Sequence, residues 1–124
     1  MNARLGRGRL VDPAIDGRTS MYGRLVEVDG LEPSKLEEVM SVIRDRVIAG
    51  MKEREGFGGF ISLFDDGSRR MRNVVLWESR ESAEEAEREW ASMRDELVRG
   101  FGATVRSADL YEAPIVEIQA GVRA

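Results

Sequence analysis

Cysteine and histidine are both absent from the 124 residues. Without cysteine there is no disulfide, no thiolate nucleophile and no sulfur-bound zinc site. Without histidine the chain lacks the commonest metal ligand and the side chain that most often acts as a base near neutral pH. No apolar run approaches the roughly 20 residues that a membrane-spanning helix needs. The basic N-terminus is not followed by an apolar stretch of the signal-peptide kind, so a cytoplasmic location is expected.

What is present is a folding composition. Hydrophobic residues make up 42% and charged residues 34%, and a chain of this size buries roughly two-thirds of its unfolded surface around one core. The 19 basic and 23 acidic side chains leave a net charge of -4, which disfavours nucleic acid and anionic membrane as partners. Basic residues cluster only in an N-terminal arm, residues 1 to 20. There Arg4, Arg7, Arg9 and Arg18 alternate with Gly6, Gly8, Pro13 and Gly17 without periodicity. That arm is expected to lie against a partner subunit.

From Met21 the pattern becomes regular. MYGRLVEV, ending at Asp29-Gly30, reads as a first strand. Pro33 suits the first position of a helix, Ser34 with Glu37 matches a capping box, and Leu36, Val39, Met40, Ile43, Val47 and Met51 recur on one helical face up to a cap near Gly56. FGGFISLF and MRNVVLW, separated by Asp65-Asp66-Gly67, read as a hairpin. A second helix follows, capped by Ser82 with Glu85 or by Ser79, with Ala83, Ala86, Trp90, Met93 and Leu97 along one stripe. ATVRSADLYEA gives a fourth strand, and the tail from Pro114 to Ala124 carries IVEI, enough for a short extra strand.

Strand, helix, strand, strand, helix, strand is the order of the ferredoxin-like α+β fold, a four-stranded antiparallel sheet with both helices on one face. The domain is expected over residues 21–113. The other face shows either Val74 and Leu76 or, in the opposite strand phase, Met71 and Val75. Either set is apolar and calls for a second copy as cover, so a homodimer is expected.

Two segments, REGFGGFISL and LWESRES, then resemble the antibiotic-biosynthesis monooxygenase superfamily, whose members are dimeric α/β barrels. The resemblance spans about residues 21 to 112. Heme-degrading members use an asparagine, a tryptophan and a histidine where this chain has Gly23, Ala86 and Glu96, so heme chemistry is not implied. The cofactor-free branch oxidises phenolic or quinol-like aromatics, and its asparagine four residues before the tryptophan of Trp-x-Ser is matched by Asn73 and Trp77. Its tyrosine six residues beyond is replaced by Ala83, and its helix arginine falls near Arg94. The resemblance implies a cofactor-independent monooxygenase for a small aromatic substrate, with no cofactor and no metal.

Residues four apart on a strand share a face, so Asn73 and Trp77 are expected to line one pocket, where both can donate hydrogen bonds to charge developing on an oxygen. An aromatic substrate is expected to lie against Trp77, Phe60 or Phe64, under a roof of Trp90 and Met93, with its phenolate held by Arg94. Tyr22 is a further candidate for substrate binding, and Tyr111 a weaker one as an acid. The plainer alternative is a non-catalytic barrel that holds an apolar ligand or is purely structural, in which Trp77 plugs the junction between strand and helix. The run Glu81, Glu84, Glu85, Glu87 and Glu89 winds around its helix as a solvated face rather than a metal site. The glycines of GFGGF precede a strand instead of linking strand to helix, which argues against phosphate binding.

Overall fold

The structure is a computed structural model and describes residues 20 to 119. The expected arm, residues 1 to 20, lies almost wholly outside the described residues. Four strands, β1 (Met21–Asp29), β2 (Phe57–Asp65), β3 (Arg70–Trp77) and β4 (Thr104–Ala113), pair antiparallel in the order β2-β3-β1-β4. The two helices cover one face, giving the expected ferredoxin-like arrangement.

The first helix is built in segments: a 3-10 turn at Pro33–Lys35, α-helix at Leu36–Val42, a wider π-helical stretch at Ile43–Ile48 and α-helix at Ala49–Lys52. Pro33 stands at its start as expected, but the Ser34–Glu37 capping box does not form. Glu32 is the cap and makes no side-chain capping bond, and Pro33 fixes a tight first turn that already contains Ser34. The chain turns out of this helix at Gly56, whose φ of +90° suits glycine. The second helix runs from Arg80 to Gly100 and is capped by Ser79, whose hydroxyl accepts from the Ser82 amide at 3.1 Å. Of the two candidate caps, Ser79 takes the place. In the β2–β3 turn, hydrogen bonds from Ser68 hold the Asp65 carboxyl below its ordinary pKa.

Strand alternation sends Val26, Val28, Met71, Asn73, Val75 and Trp77 toward the helices. Val74 and Leu76 therefore face outward, which settles the strand phase left open by the sequence. The core forms two adjoining clusters. One gathers Val26, Val28, Leu31, Val39, Ile43, Met71 and Ala103; the other gathers Val75, Trp77, Ala83 and Ala86. Beyond Pro114, residues 115 to 119 do not pair as a strand, and Ile115 and Ile118 are exposed. Among the described residues the tail therefore shows no extra strand. No helix among the described residues is long and apolar enough to cross a membrane.

Candidate functional site

Where the two core clusters meet, the helices stand off the sheet and leave a partly enclosed cavity of about 120 Å³. Its lining is almost entirely apolar: the π-helical stretch contributes Ile43 and Val47, the second helix Trp90, Met93 and Leu97, and the sheet Phe60, Val75 and Trp77. An apolar cavity of about 150 Å³ accepts benzene, so the space here suits one compact ring.

The roof depends on Gly50. A β-carbon at that position would stand 2.7 Å and 2.9 Å from the Trp90 indole, so the missing side chain lets Trp90 lie directly on the first helix. Trp77 is 2% exposed and meets Phe57 edge to face, with ring centres 5.8 Å apart and planes at 77°. It is thus both a cavity wall and the largest fully buried side chain.

Asn73 enters from the middle of β3. Its Oδ1 accepts the Ser62 hydroxyl at 2.6 Å. The carbonyl end is thereby occupied, and the amide N–H groups remain as its donors.

The expected site residues divide. Asn73, Trp77, Phe60, Trp90, Met93 and Arg94 all line the cavity. Phe64 does not; it packs against the core cluster around Val26 and Met71. Tyr22 does not either: it lies at the start of β1, and the Arg80 guanidinium sits over its ring at 5.0 Å. Tyr111 is exposed on the outward face. Of the positions compared with heme-degrading proteins, Ala86 lines the cavity, whereas Gly23 lies between Val74 and Leu76 on the outward face.

Two charged residues complete the wall without having been expected there. Arg24 projects from β1 in phase with Val26 and Val28, and Glu87 projects from the second helix between Ala83 and Trp90. Glu87 therefore does not belong to a solvated acidic face. It accepts two hydrogen bonds from Arg94, Nη1 to Oε1 at 2.9 Å and Nη2 to Oε2 at 3.0 Å, and Arg24 Nε approaches Oε1 at 3.5 Å. The Arg94 bonds hold the Glu87 carboxyl below its usual range against the opposing effect of burial. Burial alone would depress Arg94, but the carboxylates of Glu87 and Asp95 outweigh it and raise its pKa. The sequence did carry a signal for Arg24, a charge in register with two buried valines on one strand face.

This sheet order, with its helices on one side and a cavity beneath them, defines a protein of the ferredoxin-like α+β class. Among solved structures the chain is similar to a monooxygenase, ActVA-Orf6 of Streptomyces coelicolor, in complex with nanaomycin D. The TM-score is 0.60 at 13% identity, covering 84% of this chain and 95% of that one. A dimeric ferredoxin-like protein from an uncultured marine organism matches with a TM-score of 0.59 at 13% identity, over 80% of this chain and 99% of that one. A conserved protein from Methanosarcina mazei Go1 matches with a TM-score of 0.55 at 14% identity, over 75% and 93%. The resemblance to antibiotic-biosynthesis monooxygenases thus holds at the level of fold. No family model and no curated protein matches the sequence.

Proposed function

We propose that the protein is a cofactor-independent monooxygenase acting on a small, single-ring phenol or quinol inside this cavity. The observation that carries the reading is an apolar space of about 120 Å³ whose lining includes Asn73, with the Asn73 Oδ1 taken by the Ser62 hydroxyl. A ring anion that carries a further electron-donating oxygen, as an ionised quinol does, is electron-rich enough to pass an electron to dioxygen. The resulting pair combines as a ring peroxide, and loss of water leaves a quinone, so that phenol and dioxygen give quinone and water. One oxygen atom enters the ring, the other leaves as water, and the substrate supplies all the electrons.

Asn73 is assigned to stabilise negative charge on the substrate oxygen, Trp77 and Phe60 to hold the ring, and Trp90 with Met93 to keep water out. Oxygen uptake with a panel of phenols and quinols tests this. Turnover by the wild type that falls by about 100-fold in Asn73→Ala is expected if the amide acts as an oxyanion donor. No turnover across the panel, or equal turnover in the variant, refutes it.

The burial of Trp77 favours a second reading, a non-catalytic barrel that binds a small apolar ligand. Ligand binding by the wild type without oxygen uptake would select it.

We also propose a homodimer formed through the outward sheet face. Ile61, Leu63 and Tyr111 are 40%, 57% and 54% exposed there, beside Leu25, Val74 and Leu76. Light scattering is expected to give twice 13.9 kDa, and a particle of 13.9 kDa at micromolar concentration would contradict it. A cytoplasmic location goes with this reading.

A further inference from the structure

We infer that Arg24, positioned by Glu87, is the specificity-determining residue of the cavity and selects compact aromatic ligands that carry one ionised oxygen. This deepens the reading of the cavity as a ligand site and rests on it. Arg94 is the more committed of the two guanidinium groups at the wall. Each of its terminal nitrogens gives one hydrogen bond to Glu87, and its Nε stands 3.5 Å from Asp95 Oδ1 without forming one.

Arg24 is differently placed. Its only hydrogen bond among the described residues runs from Nη1 to the Ala108 carbonyl of β4 at 3.2 Å, and its Nε lies 3.5 Å from Glu87 without forming one. Among the described residues Nη2 has no acceptor.

The charges lead to the same assignment. Glu87 is matched by Arg94, which leaves the Arg24 cation as the excess charge at the wall, with a side chain only 12% exposed. Asp95 is half-exposed and screened by water, so it offsets little of this field. The first helix adds only apolar side chains to the cavity, Val39, Val42, Ile43, Val47 and Met51. Together with the Asn73 amide, the polar end of the space offers donors, while the Glu87 carboxylate and the Asn73 Oδ1 each already accept from a protein group. A ligand that brings a donor or a cation meets acceptors that already hold protein partners and an unmatched cation. One that brings an anionic oxygen finds donors there.

Glu87 acts through Arg24 and is a positioning residue. Its carboxylate lets two guanidinium groups stand side by side and keeps Arg94 from competing for the ligand.

Fluorine NMR with three probes of nearly equal shape tests the assignment: benzene rings fluorinated at both carbons flanking a hydroxyl, a methyl or a carboxylate. In the wild type the bound phenol is expected to ionise about one pH unit below its value in water, equivalent to about tenfold tighter binding of the anion. Arg24→Gln is expected to abolish that shift and to weaken phenolate binding about tenfold, while the toluene probe binds as before and so reports an intact cavity. Arg24→Lys keeps the charge and restores part of the shift. Preference for phenolate or for carboxylate each supports an anionic pole and tells which acid it takes. Toluene binding as tightly as the phenolate, or an unchanged shift in Arg24→Gln, overturns the assignment while leaving the cavity as a ligand site. If none of the probes enters, the ligand-site reading falls as well.

Discussion

Replacing Glu87 with glutamine keeps the size of the side chain and removes only its charge, which isolates the part played by the Arg24–Glu87–Arg94 group. The side chains of Arg24, Glu87 and Arg94 are 12%, 27% and 21% exposed, so the group is neither a surface pair nor a fully buried one. Exposed pairs are worth about 0–1 kcal/mol, and removing one partner of a buried pair costs about 3–5 kcal/mol. An intermediate loss of about 2 kcal/mol is expected, because two guanidinium groups then face each other without a carboxylate between them. For a chain of this size that lowers Tm by about 8 °C.

The pH dependence has a definite sign. The Arg94 hydrogen bonds depress the Glu87 carboxyl below its ordinary value of 4.5. Its contribution is therefore fully present above that value and lost as pH falls through the depressed one. Denaturant titrations of the wild type and Glu87→Gln should differ at neutral pH and converge in acid. Equal stabilities at neutral pH, or a gap that persists undiminished in acid, would refute the reasoning.

Trp77→Ala should cost about 3–5 kcal/mol in urea unfolding, because the largest fully buried side chain is removed from between Val75, Ala83 and Ala86. Gly50→Ala places a methyl group 2.7 Å from the Trp90 ring and should cost about 1–3 kcal/mol. Combining it with Trp90→Leu should recover part of the loss, and strict additivity of the two in thermal unfolding would contradict the contact. Ser79→Ala removes the cap of the second helix and should lower stability by about 1 kcal/mol, read as a shift of the denaturant midpoint.

Much of the fold was legible in the sequence because its signals are local. Alternating branched and aromatic residues marked β1 to β4 to within a residue or so. Pro33 and Gly56 bracketed the first helix, and the stripe from Ala83 to Leu97 gave the second. The order of those elements leaves few arrangements, and the ferredoxin-like one was among them. That Asn73 and Trp77 share a strand face followed from their spacing alone.

Other features depended on positions far apart in the chain. Which strand face meets the helices depends on how β1, β3 and the helices bury their apolar sides together, and this brought Asn73 and Trp77 inside; Tyr22 and Phe64 share that face but stand near the ends of their strands, outside the cavity. Composition alone placed Glu87 in an acidic run. Its position opposite Arg24, which lies 63 residues earlier on another element, made it part of a partly buried wall. Ser79 prevailed over Ser82 as cap because it precedes the first helical turn and receives the Ser82 amide. Periodicity determines which side of an element is apolar, and only tertiary packing decides which polar groups that side must accommodate and which of them keep a donor free.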